Sequence, residues 1–224
     1  MTVSASGGTG DTVVAGVPIR ERYGLVLVLI LVGYVLSGVE QSRLLIAVNS
    51  FLWVALLLTS LWSPGVPKRL RRIGSVATIL VLVTTFSLGL ISSELADGWR
   101  LILLGIAQFA ALLAILNRVS RHRKVTLQTV MGGVAAYALI AFVMAALFHG
   151  MDLLTETTFL NGVVANGDYV YFSFVTLTTV GYGDITAATD LAKRLVVVEA
   201  FVGQVFLVAL VARLVSLWGA PERG

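Results

Sequence analysis

The sequence predicts an all-α membrane protein: six transmembrane helices, with a short re-entrant helix and a glycine-containing loop before the last of them. Three observations carry this prediction. Hydrophobic residues make up 58% of the 224-residue chain and charged residues only 12%, against roughly 25% charged in a soluble domain; mean hydropathy is +0.94. The apolar residues fall in six long runs, and a membrane crossing needs about 20 such residues. The runs are continuous, whereas barrel strands would alternate over about 10 residues.

The runs are Tyr23–Val39, Leu44–Trp62, Ile73–Ile91, Leu101–Leu116, Thr126–Phe148 and Asp190–Leu217. Residues 1–19 are rich in Ser, Thr and Gly and read as a disordered tail, without the charged start and apolar core of a signal peptide. Residues 20–117 read as a four-helix unit, 118–125 as a basic linker, 126–218 as a second unit and 219–224 as a short tail. A basic loop precedes the third run (Lys68, Arg69, Arg71, Arg72), and another follows the fourth (Arg118, Arg121, Arg123, Lys124). With Arg20 and Arg22 they fall on one side of a six-span chain, and the positive-inside rule makes that side cytoplasmic. Both tails are then cytoplasmic, and the eight basic loop residues are placed to meet anionic lipid headgroups. The net charge of +4 does not point to nucleic acid, because the basic residues sit in short loops between apolar runs. The chain has no Cys, which excludes disulfides. His122 and His149 are isolated from clustered carboxylates and give no metal-site signal. No pattern of catalytic residues stands out, and an enzyme is not expected.

Between the fifth and sixth runs lies Thr178-Thr179-Val180-Gly181-Tyr182-Gly183-Asp184. Gly181 and Gly183 can take the positive φ angles that point successive carbonyls one way. Asp168 is placed to cap a short helix over Tyr169–Thr178. This T-T-V-G-Y-G-D run resembles the signature of the potassium channel superfamily, and the resemblance is strongest over Thr126–Leu217, a pore domain similar to the bacterial ion channel pore family. It implies a six-transmembrane subunit with one pore loop, a re-entrant pore helix and a selectivity filter. Four copies form the filter, so the partner is three further copies of the chain in a homotetramer in the plasma membrane. The implied ligands are potassium ions, held by oxygens of Thr179, Val180, Gly181 and Tyr182, with the Thr179 hydroxyl at the inner end. Thr178 and Gly183 support the loop. The plainer reading is a Gly-containing turn after an amphipathic helix, which leaves the length of the motif unexplained.

Voltage-gated relatives carry a basic residue at every third position of the fourth helix, about 3–4 in all. Here Leu101–Asn117 has no charge, so voltage sensing is not expected. No ligand-binding regulatory domain is expected after the sixth run either. That run has 28 residues, about 42 Å of helix, and should tilt across a core of roughly 30 Å. Gly203 falls where related channels carry a hinge glycine, and close helix packing explains it equally well. Gln204 is expected to face the cavity below the filter, with Leu207, Val211 and Val215 on the same face as a hydrophobic constriction or as ordinary packing.

Two carboxylates stand apart. Some relatives place a Glu where this chain has Val175, to pair with the Asp after the filter; here Tyr171 is the expected partner of Asp184. Glu199 lies deep in an apolar stretch, where a carboxylate seldom faces lipid. It is expected to meet a hydroxyl of the pore helix, at Ser173, Thr176 or Thr178, either as a brace or as a group whose protonation couples pH to the filter. Two functions suit the sequence: a potassium-selective channel conducting passively, or a non-conducting membrane subunit that modulates another channel. The intact motif favours the first.

Overall fold

The computed structural model describes residues 23–38, 48, 51–57, 67–87, 93–120, 127–155 and 157–218. The two tails and the basic residues 121–124 lie outside them. Seven helices are seen among the described residues: α1 (Tyr23–Ser37), α2 (51–57), α3 (Lys68–Ser87), α4 (Glu94–Val119), α5 (Leu127–Leu154), α6 (Asp168–Leu177) and α7 (Asp190–Trp218). Two short strands, β1 (Leu160–Asn161) and β2 (Thr186–Ala187), pair antiparallel with Leu160 opposite Ala187. They tie the loop after α5 to the segment after residues 178–184.

Among the described residues, three helical stretches are long and apolar enough to cross a membrane: Glu94–Val119, Thr129–Leu154 and Asp190–Ser216. The second run, Leu44–Trp62, lies largely outside the described residues. α1 is apolar but 15 residues long, and α3 opens with Lys68-Arg69-Leu70-Arg71-Arg72.

Several helix ends differ from expectation. Lys68–Arg72 form the first turns of α3 rather than a loop. α4 starts at Glu94, not Leu101, and α5 continues past His149 to Leu154. Hydropathy marks where a helix enters lipid, whereas backbone hydrogen bonding continues into charged turns beyond it. Asp168 does not cap α6. It is the first helical residue, Gly167 occupies the cap position, and the Asp168 carboxylate instead accepts the Val164 and Ala165 N–H groups at 2.7 and 2.9 Å. The carboxylate thereby closes the turn that leads into the helix.

α4 packs along α5 through small residues. A Cβ on Gly150 would stand 2.8 Å from Ile102 Cδ1 and 3.1 Å from the Gly98 carbonyl oxygen, the close approach that small residues permit between membrane helices. An aromatic chain links the four-helix unit to α6. Trp53 meets Phe142 edge-on at 4.6 Å, Phe142 meets Phe174 at 5.6 Å, and Tyr34 meets Phe174 at 5.2 Å. α7 is different: Val197, Phe201, Val205 and Val208 are each more than half exposed, so much of its apolar surface is uncovered by its own chain.

Candidate functional site

The loop after α6 is built by alternating backbone handedness. Thr178 ends the helix at φ −83°, and Thr179, Gly181 and Gly183 then have φ of 58°, 55° and 81°. Such alternation turns successive peptide groups relative to one another. The positive φ at the two glycines was legible from the sequence. That at Thr179 was not, because a left-handed non-glycine residue costs about 1–3 kcal/mol and persists only where its surroundings impose it. Those surroundings are the end of α6. The Thr179 N–H donates to Thr176 O at 2.9 Å, and the Val180 N–H donates to Val175 O at 2.9 Å. The Thr179 hydroxyl donates to Thr178 O at 2.7 Å. The Thr178 hydroxyl turns back to Phe174 O at 2.7 Å.

Two neighbouring helices hold α6 from behind. Tyr137 of α5 donates its hydroxyl to Leu177 O at 2.9 Å, satisfying a carbonyl left open at the helix end. From α7, Gly203 abuts the same residue: a Cβ there would lie 2.5 Å from Leu177 Cδ1 and 3.0 Å from Leu177 O. Close packing therefore accounts for this glycine, and α7 runs through it as a continuous helix. One turn earlier, Glu199 is 1% exposed and Ser173 0%. The Ser173 hydroxyl is within hydrogen-bond reach of both Glu199 Oε1 and Ala141 O, the latter at 2.7 Å. It has one proton for two acceptors, so both bonds form together when the carboxyl group carries a proton and donates to Ser173. Of the three hydroxyls expected beside Glu199, the structure brings Ser173 to it; Thr178 bonds within its own helix.

Beyond the loop, the Tyr171 hydroxyl donates to Asp184 Oδ2 at 2.7 Å. The Ile185 N–H donates to Asp184 Oδ1 at 3.0 Å. The Tyr171 and Tyr182 rings lie parallel at 6.4 Å. The tyrosine bond holds the Asp184 carboxyl below the usual carboxylate range, and the same bond pushes the Tyr171 hydroxyl up to about 12. A depressed carboxylate stabilises the fold above its ordinary titration range, and this contribution is lost as pH falls through the depressed value. Tyr171→Phe should therefore lower stability near neutral pH and remove this part of the acid loss, so that the two proteins converge as pH falls. Thermal unfolding of the two proteins between about pH 3 and 6 checks this; superimposable profiles would mean that Asp184 is merely solvated.

Further out, Tyr169 donates its hydroxyl to Asp152 Oδ2, and the His149 ring stacks on it at 4.2 Å. Among the described residues no group of three or more His, Asp or Glu is placed to hold a metal ion.

Residues 133–218 match the Ion channel family. This stretch is similar in sequence to an ion channel domain, and the match covers less than half of the chain. The match starts within α5, takes in α6 and the loop at 178–184, and ends on the last residue of α7; it is to a channel, not to an enzyme. Over 49 residues the chain is 51% identical to Two-pore potassium channel 4 of Arabidopsis thaliana, a segment that covers 22% of this chain and 17% of that protein. The chain thus spans less than a fifth of that relative's length. No solved structure matches the chain.

α7 has a second anchor, which the local sequence does not announce. Arg213 of α7 donates Nη2 to Val119 O at 3.0 Å and to Ser120 O at 2.7 Å. These carbonyls close α4, and a cation at a helix C-terminus is favoured by the helix dipole. Arg213 thus ties α7 to the end of α4. Arg213→Met keeps the stem and removes the donors. It should lower stability by about 1–2 kcal/mol, read as a lower thermal midpoint of the protein in detergent; an unchanged midpoint would show the contact to be idle. Gln204, Leu207, Val211 and Val215 are all exposed within the single chain, so no constriction is formed by one copy.

Proposed function

We propose that the chain is one subunit of a homotetrameric, potassium-selective channel that conducts passively across the plasma membrane. The observation that carries this reading is the filter loop: residues of positive φ at 179, 181 and 183, anchored to α6 and aligned with the T-V-G-Y-G sequence. Thr179, Val180, Gly181 and Tyr182 supply the oxygens that replace potassium's hydration shell. Val180 and Tyr182 are 52% and 71% exposed in one chain, which suits a loop completed by three further copies. The uncovered apolar side of α7 supports the same assembly. The potassium preference draws further support from the plant relative, whose name specifies that ion.

In this reading residues 20–117 form a four-helix unit around a pore domain at 126–218, with both tails cytoplasmic. Exposed Lys68, Arg69, Arg71 and Arg72, with Arg118, Arg121, Arg123 and Lys124, meet anionic headgroups. Gln204 lines the cavity below the filter, and Leu207 and Val211 narrow it. Voltage plays little part. Arg100 is paired with Asp97 at 3.2 Å, and the rest of α4 to Asn117 is uncharged. Moving one charge through 100 mV is worth about 2.3 kcal/mol, so open probability in symmetrical potassium should be nearly flat with voltage. A steep curve with several gating charges would contradict this.

The purified chain alone, reconstituted in liposomes, tests the proposal. Potassium uptake driven by a potassium gradient is expected without any partner. Its absence, with the tetramer intact, would instead favour a modulatory subunit.

A further inference from the structure

The outer end of the 178–184 loop is held from two sides. Tyr171 of α6 holds the Asp184 side chain. The Asp184 main chain meets a second element, a strap made of β1 and the residue after it. Asn161 pairs with Thr186 across the two strands, and the Ala188 N–H donates to Phe159 O at 3.0 Å. Gly162 then turns at φ +86°. A Cβ on Gly162 would run into the Asp184 carbonyl oxygen and stand 3.4 Å from Ile185 Cα. Both are backbone atoms, so neither can swing aside as the end of a side chain does.

The strap has its own footing. Asp152, near the end of α5, accepts the Phe159 N–H on Oδ1 at 2.6 Å and the Tyr169 hydroxyl on Oδ2. One carboxylate thus joins α5, the residue before β1 and the first turn of α6. Phe159, Leu160 and Ile185 are buried in one apolar cluster with Phe148 and Phe172. Packed interiors transmit strain rather than absorb it, so a strap pushed off Asp184 carries the loop's outer end with it.

From this geometry we propose that Gly162 is a positioning residue for the outer end of the filter. Having no Cβ, it seats the strap against the Asp184 carbonyl and fixes the peptides that follow Tyr182. The inference rests on the reading of Thr179–Tyr182 as the ion-binding oxygens. Gly162 touches no ion. It acts through Asp184, two residues beyond Tyr182, and keeps the Tyr182 oxygen within the small tolerance that a site for one ion requires.

The test is the reversal potential of the purified full chain in a planar bilayer, with potassium on one side and sodium on the other. Gly162→Ala and Gly162→Asn should each lower the potassium-to-sodium permeability ratio at least about tenfold. Asn161→Ala, exposed and one residue earlier in the strap, should keep the wild-type ratio. Asn takes positive φ more readily than Ala but carries the same Cβ. A fully selective Gly162→Asn would therefore show that only the φ angle matters, and would overturn the inference. So would an unchanged ratio in Gly162→Ala. A wild type that does not discriminate would sink the filter reading itself, and this inference with it. Should neither variant assemble, hydrogen exchange of the wild-type chain decides. Potassium in place of sodium should slow exchange at residues 159–163 together with 178–185; protection confined to the loop would overturn the inference.

Discussion

Replacing Gly181 with alanine should abolish potassium flux through the reconstituted channel. Gly181 sits at φ +55°, and within one chain nothing lies within 4 Å of the place a Cβ would take. The cost is therefore conformational rather than a clash with a neighbour. Holding an L-residue other than glycine in the left-handed region costs about 1–2 kcal/mol, and four subunits make this about 4–8 kcal/mol for one filter. The alternative for the chain is to rotate φ to a negative value, which turns the Val180–Gly181 peptide and removes its oxygen from the row. Either way the aligned oxygens are lost. Flux should fall at least about 100-fold, a change of about 2.7 kcal/mol. Potassium uptake into liposomes, normalised to the total releasable by a potassium ionophore, measures it. Selective wild-type flux in Gly181→Ala would sink the assignment of this loop as the filter.

The second large effect is expected at Glu199. Glu199→Ala removes the carboxyl that reaches Ser173 and leaves a void between α7, α6 and α5. Large-to-small replacements in a packed interior cost about 2–5 kcal/mol, enough to destabilise the filter's support in every subunit. Glu199→Gln keeps the volume and can donate an amide N–H to the Ser173 hydroxyl, which then gives its own proton to Ala141 O. The brace survives this exchange, so Glu199→Gln should assemble, conduct and respond to pH as the wild type does, while Glu199→Ala should lose most of its flux and thermal stability. If Glu199→Gln conducts but its pH response is flattened, Glu199 is a proton sensor and not only a brace. If both variants match the wild type, the Ser173 contact has no role.

Residues that state their role locally were the legible ones. The inner helix was read as Asp190–Leu217 and is found as Asp190–Trp218, because Asp190 opens a long unbroken apolar run. The glycines at 181 and 183 announced their backbone angles, since glycine tolerates positive φ where other residues do not. The Tyr171–Asp184 bond was also legible, because a missing carboxylate at Val175 left one hydroxyl on the correct side of the pore helix. Helix ends were read less well. Lys68–Arg72, Glu94–Arg100 and His149–Leu154 are helical although polar residues break the hydropathy pattern there. Contacts between distant parts of the chain were hidden altogether. Arg213 bonds carbonyls 93 and 94 residues away, and Tyr137 bonds one 40 residues away. Nothing near either residue in sequence names its partner.

The central claim is that four copies of the 178–184 loop select potassium. The most direct measurement is the reversal potential of the purified chain alone in a planar bilayer, with potassium on one side and sodium on the other. The filter reading predicts a reversal potential far from zero, in the direction of potassium permeation, collapsing when Gly181 is replaced by alanine. A reversal potential near zero in the wild type, with currents clearly present, would mean a pore that does not distinguish the two ions and would contradict the account.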